Sequence, residues 1–182
     1  MSETVKNILR EDAAAIFRAG VAAVDPRKGV LSHLLLEGDT LVAGESRIDL
    51  DPEGRVLVVG SGKAAAPMAA AVEQVFGDRI SKGLLVVKYG HTYPVERTTI
   101  MEAGHPVPDK NGLKASLRIL ELAREASERD LVICLLSGGG SALLPCPAPP
   151  LILEEKQETT RLLLASGASI DEVNTVRKHL SL

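Results

Sequence analysis

The groups best placed to do chemistry in this sequence are a lysine and three serines set among glycines. Lys63 ends the turn Gly60-Ser61-Gly62-Lys63, directly after the apolar run Val56-Leu57-Val58-Val59. Ser137 and Ser141 enclose Gly138-Gly139-Gly140, directly after the run 131–136. A glycine turn that leaves a strand and enters a helix presents backbone N–H groups without partners, and such groups bind anions. Two such turns in one domain predict a site for a phosphorylated ligand. A lysine in the first turn of a helix is disfavoured by the helix dipole, and an anion that neutralises it accounts for its presence. The plainer alternative is a solvated surface lysine. Three consecutive glycines exceed what a tight turn needs, because each adds an entropic cost, so close approach of a ligand explains them better than packing.

Neither turn completes a familiar catalytic motif. A P-loop requires glycine where Leu57 stands and a hydroxyl where Ala64 stands. The dinucleotide fingerprint G-x-G-x-x-A is met by residues 60–65, but the next strand ends in Lys88 rather than in an acid for the ribose. That disfavours NAD and leaves NADP open. Neither Ser137 nor Ser141 lies in the G-x-S-x-G of a hydrolase elbow.

Further candidates are weaker. His91 and His105 both stand in G-H-x-x-P after an expected strand, at the edge where open α/β proteins bind ligands. Turn chemistry, with each histidine bonded to its own loop, is the simpler reading. Asn174, Arg177 and Lys178 are spaced to share one helix face, which suits clamping a carboxylate or phosphate or merely facing water. Cys134 and Cys146 form neither a zinc pattern nor a disulfide framework.

The elements that must hold these residues alternate strand and helix. A helix is expected over residues 3–24 with an apolar stripe, then a short one from Asp25-Pro26 to about Leu34. Residues 35–55 read as a hairpin excursion. Strands are expected at 56–60, 84–89, 98–103 and 131–136, and helices at 63–76, from Asp109 to about Ser127, and at 154–165. A stiff proline-rich linker covers 145–150. The Ser169-Ile170-Asp171-Glu172 capping box opens a last helix, expected to run to Leu182 without a closing element. The pattern predicts one Rossmann-like, doubly wound α/β domain over 1–182, its mostly parallel sheet flanked by helices.

Composition narrows the function classes. The chain has 182 residues and a net charge of −3. With two Tyr, two Phe and no Trp, it offers neither a basic footprint nor stacking aromatics for nucleic acid. No apolar run is long enough to cross a membrane. Residues 1–10 are charged and lack a signal-peptide core, so a cytoplasmic protein is expected.

Several segments together resemble the MOFRL-type glycerate kinases, some of which have been labelled hydroxypyruvate reductases. They are Gly60-Ser61-Gly62-Lys63-Ala64, Tyr89-Gly90-His91, residues 104–109, residues 137–144 and residues 174–181. The resemblance implies phosphoryl transfer from ATP, with Mg2+, to the 2-hydroxyl of D-glycerate. Lys63 would be catalytic, neutralising charge on the phosphoryl group or the glycerate carboxylate. Gly60, Ser61, Gly62, Ser137, Gly138, Gly139, Gly140 and Ser141 would bind phosphate or nucleotide. Asn174, Arg177 and Lys178 would orient substrate. It implies an N-terminal Rossmann-like domain cut before a second domain, with the general base and magnesium carboxylates in the second, so that the isolated chain is expected to be inactive. A truncated sheet would expose apolar surface and allow homo-oligomers. The alternatives are an NADPH-dependent hydroxypyruvate reductase and a non-catalytic phospho-ligand binding domain.

Overall fold

The computed structural model describes residues 3–182. Helix α1 (Glu3–Ala23) buries none of its residues, and its stripe, including Ile16, Phe17 and Val21, faces solvent, as does Val24 just beyond it. Helix α2 (Pro26–His33) starts where proline and its N-cap predict, with Asp25 accepting from the N–H groups of Arg27 and Lys28 at 2.9 and 3.0 Å. The expected hairpin is a three-stranded antiparallel meander of β1 (Leu34–Glu37), β2 (Thr40–Ala43) and β3 (Ser46–Asp49). Leu34 belongs to its first strand rather than to α2.

The main sheet is parallel throughout. Its strands are β4 (Val56–Ser61), β5 (Ile80–Lys88), β6 (Thr98–Ala103) and β7 (Leu131–Leu136), in the order β6-β5-β4-β7. Strand β5 begins four residues before the expected 84, because Ile80 already pairs with Val56 across a register shift. Its Ser81 and Lys82 are exposed there, which hides the strand from a hydropathy reading. Helix α3 (Ala65–Phe76) covers one face, joining Val56, Val58, Leu85, Val87 and Leu135 in a core. Helix α4 (Lys110–Arg124) covers the other, over Leu57, Val59, Leu84 and Val86. The chain winds from β4 outward to β6, then returns through α4 to place β7 on the opposite side of β4. The carboxyl ends of β4 and β7 are therefore a topological switch point, where open α/β sheets bind ligands. Arg55 and Asp130 lock these strands at their starts, with Arg55 Nη2 donating to Asp130 Oδ2 and the Arg55 N–H to Oδ1, both at 2.7 Å.

The short α5 (Gly140–Leu143), α6 (Leu153–Ala165) and α7 (Ile170–His179) complete the chain. The proline-rich segment is no free linker: Pro145 and Cys146 are buried. Helix α7 stops at His179 rather than reaching Leu182. The last residues pair with that segment instead, through Ala148 N–H to Leu180 O at 3.1 Å and Leu182 N–H to Cys146 O at 3.0 Å. The C-terminal residues thus have a closing element that no glycine signals.

Candidate functional site

The two glycine turns lie side by side and are bonded to each other. Ser61 pairs with Leu136 at the end of the β4–β7 ladder. Beyond it, the Ser137 N–H donates to Ser61 O and the Lys63 N–H to Gly138 O, both at 3.0 Å. The Ala64 N–H donates to Ser137 Oγ, also at 3.0 Å. Glycine is required at position 62 on two counts. Its φ is +136°, and a Cβ there would lie 2.0 Å from Ser137 Oγ and 2.6 Å from Ser137 O. At Gly60 a Cβ would lie 2.2 Å from Leu135 O. The glycines of the first turn thus serve the contact between strands.

This bonding divides the work between the turns. In the first, the N–H groups of Gly62, Lys63 and Ala64 are all engaged, by Val86 O, Gly138 O and Ser137 Oγ. Ser61 is fully buried and turns its hydroxyl toward Gly140 O at 3.4 Å. Of that turn, the Lys63 side chain alone reaches solvent. Lys63 itself precedes α3, whose N-cap is Ala64, so it is not in the helix's first turn as expected. The bond to Gly138 O holds its backbone against the second turn instead. In the second turn, the N–H groups of Gly138 and Gly139 have no partner among the described residues. Gly138 and Ser141 are exposed. Gly140 closes the turn, its N–H donating to Ser137 O at 3.3 Å.

Lys63 lies along this open loop. Its Cε is 3.9 Å from where a Cβ would stand on Gly138 and 3.6 Å from that position on Gly139. The His105 ring meets the same spot, with Cδ2 and Nε2 at 3.0 and 3.1 Å from the Gly139 position. His105 was readable only as one of two similar turns. The structure separates them: His91 Nδ1 pairs with Tyr89 O at 3.2 Å, which is turn chemistry, whereas His105 packs on the glycine loop. Burial lowers the His105 pKa, and the charges of Lys63, Lys88 and Arg177 lower it further, so its imidazole is neutral near pH 7. Asp109 is a helix cap, accepting from the Gly112 N–H at 2.9 Å, and also accepts from the Tyr89 hydroxyl at 2.8 Å.

Helix α7 does not present its polar trio as one surface. Asn174 and Lys178 are exposed, but Arg177 is half-buried. Its Nε and Nη2 are buried with no hydrogen-bond partner among the described residues, and burial lowers its pKa. Lys63, Lys88 and Arg177 take part in none of the ion pairs among the described residues. The region is thus cationic, carries free N–H groups, and fits an anion such as phosphate or carboxylate. Among the described residues, no group of three or more His, Cys, Asp or Glu side chains converges that could hold a metal ion. No described helix is long and apolar enough to cross a membrane.

Comparison with known proteins gives the family of the chain. Residues 12–182 match the family described as "Domain of unknown function (DUF4147)". The chain is 45% identical over 174 residues to the D-glycerate 2-kinase of Thermotoga maritima, covering 95% of this chain and 38% of the relative. It is 43% identical to an Agrobacterium vitis protein provisionally named a hydroxypyruvate reductase, covering 94% of this chain and 36% of that one. The chain thus spans well under half the length of these relatives. A crystal structure of a Pyrococcus horikoshii OT3 protein superposes with a TM-score of 0.81 at 38% identity, over 95% of this chain and 39% of the other. With residues 12–182 matched, from within α1 to the last residue, and the same fold found in a solved relative, this chain belongs to the DUF4147 family.

Proposed function

We propose that this chain supplies part of the active site of an ATP-dependent D-glycerate 2-kinase, binding the anionic groups of nucleotide and glycerate at the β4–β7 switch point. One observation carries the reading: Lys63, in no ion pair among the described residues, lies along a glycine loop whose Gly138 and Gly139 N–H groups have no partner among those residues. Phosphoryl transfer asks little covalent chemistry of a protein and much positioning and charge neutralisation. Gly138 and Gly139, with the Ser141 hydroxyl, hold a phosphate. Lys63 neutralises its charge or that of the glycerate carboxylate. Arg177 offers a bidentate fork to a carboxylate, with Asn174 and Lys178 at the rim. Gly60, Ser61, Gly62, Ser137 and Gly140 shape the loop rather than touch the ligand. His105, neutral, accepts a hydrogen bond from a substrate hydroxyl. ATP would bring the phosphoryl group, and Mg2+ would neutralise its phosphate charge, held by those phosphates and by carboxylates that this chain does not supply. The names of the kinase relatives agree with this reading.

The reductase name carried by the Agrobacterium vitis relative favours a second reading, in which NADPH occupies the G-x-G-x-x-A turn. Against it, the N–H groups that would meet the pyrophosphate are already bonded to protein. A chimera separates the two. This chain replaces the matching segment of the Thermotoga maritima relative, and ADP release from ATP plus D-glycerate is measured beside NADPH oxidation by hydroxypyruvate. ADP release that falls sharply in Lys63→Ala is expected. NADPH oxidation without ADP release would overturn the proposal.

A further inference from the structure

Lys156 occupies a position on the buried face of α6 where an apolar side chain would ordinarily stand. Leu153, Lys156 and Thr160 form the buried face of α6. Lys156 is only 1% exposed, the largest fully buried side chain in the described chain. A buried ammonium normally has a carboxylate partner. This one forms no ion pair among the described residues. Its Nζ instead donates to Ser181 Oγ and approaches Leu180 O at 3.5 Å. Ser181 Oγ in turn donates to Arg177 O at 3.2 Å. A continuous path therefore runs from the Lys156 ammonium through Ser181 to the backbone of Arg177. The neighbouring Gln157 donates from Nε2 to Pro108 O at 2.8 Å, which ties α6 also to the loop that carries His105.

We propose that Lys156 is a positioning residue for the anion site: its ammonium fixes the end of α7, and with it the Arg177 guanidinium, and adds a second positive charge behind that side chain. The inference rests on the anion-site reading above and extends it to a residue outside the glycine turns. Burial lowers the Lys156 pKa, and the Arg177 charge lowers it further. A methionine or leucine would fill the same space without that repulsion. An anion bound at Arg177 offsets that repulsion with its own attraction for both cations, so the buried lysine is matched to the liganded site rather than to the empty one.

The test uses the 182-residue chain with inorganic phosphate as probe. Lys156→Met keeps the apolar stem and removes the charge. The Nε–H resonance of Arg177 reports its setting with no ligand present, and calorimetry gives the phosphate dissociation constant. Lys156→Met is expected to shift that resonance, to weaken phosphate binding about tenfold, and to leave the melting temperature unchanged or higher. Ser181→Ala, which cuts the path without burying a new group, is expected to move the resonance in the same direction and carries the test should Lys156→Met not fold. An Arg177 resonance unmoved by these changes would overturn the proposal and leave Lys156 a simple cap of α7. A wild-type chain that binds no phosphate would overturn the anion-site reading, while the resonance would still decide the role of Lys156.

Discussion

Alanine at Gly62, Gly139 and Gly138 separates the packing role of the turns from their binding role. At Gly62, φ is +136° and a Cβ would stand 2.0 Å from Ser137 Oγ and 2.6 Å from a backbone oxygen. Forcing an L-residue to positive φ costs about 1–2 kcal/mol, and overpacking against backbone adds about 1–3 kcal/mol. Gly62→Ala should therefore lose about 2–5 kcal/mol, a fall in melting temperature of roughly 5–15 °C for a chain of this size. Gly139 also has positive φ, +98°, but its nearest neighbour is the His105 ring at 3.0 Å, which can turn aside. That substitution should cost about 1–2 kcal/mol. Gly138 has no positive φ, and its nearest atom is Lys63 Cε at 3.9 Å, so Gly138→Ala should stay within about 0.5 kcal/mol of wild type. Its methyl group would instead crowd the approach to the free N–H groups and weaken phosphate binding. Urea unfolding followed by circular dichroism, with phosphate titration on each variant, reads both effects. A Gly62→Ala protein within about 1 kcal/mol of wild type would refute the packing account, and a Gly138→Ala protein with unaltered phosphate affinity would refute the loop's binding role.

Three further outcomes follow from the same geometry. Lys63→Ala in the chimeric enzyme should lower kcat/KM about 100- to 1,000-fold, the usual cost of removing one charge-stabilising donor; near-normal turnover would remove Lys63 from the site. By NMR titration, His105 should protonate below the ordinary imidazole range in the free chain and return upward when phosphate is added, since the anion offsets the charges of Lys63, Lys88 and Arg177. Because the folded pKa is lowered, this histidine withdraws stability as pH falls from the ordinary value through the lowered one. Glu73 is pushed up by burial, but the N–H groups of Glu96, Arg97 and Thr98 outweigh that and hold it below the usual carboxylate range. Its contribution is thus full above the ordinary carboxylate value and lost as pH falls through the lowered one. Glu73→Gln should cost about 1–2 kcal/mol at pH 7 and flatten the acid limb of the stability profile in urea melts.

The parts of the fold written in local patterns were readable. The buried run Val56–Ser61, the Asp25 and Asp109 caps and the Ser169 box all appear where residue type and spacing place them. The two glycine turns were legible as a pair, because each follows a strand. What could not be read was long-range. The bond from the Lys63 N–H to Gly138 O joins residues far apart in sequence, so nothing local reveals that the first turn's N–H groups are occupied. His105 and His91 stand in nearly identical contexts, and topology alone brings one of them to the loop. Lys156 lies in Glu154-Glu155-Lys156-Gln157-Glu158, which reads as a solvated helix face. Only the packing of α6 against the end of α7 buries it.

The charge arrangement gives the anion site a consequence for stability. Elsewhere arginines find carboxylates, as Arg55 does in Asp130 and Arg79 in Asp39. Around His105, however, Lys63, Lys88 and Arg177 have none among the described residues, and the Arg177 Nε and Nη2 are buried without a partner there. The buried, unpaired Arg177 atoms oppose folding, and an anion that binds the native state alone stabilises it. At one hundred times its dissociation constant, phosphate should add about 2.7 kcal/mol, raising the melting temperature by roughly 5–10 °C. Chloride at equal ionic strength screens charge without bridging the N–H groups and Lys63, and should raise it far less. Arg177→Met removes the buried unpaired charge, so that variant should be at least as stable without phosphate and gain less from it. Equal stabilisation by chloride and phosphate would mean that the cations merely repel one another, and that the loop holds no anion.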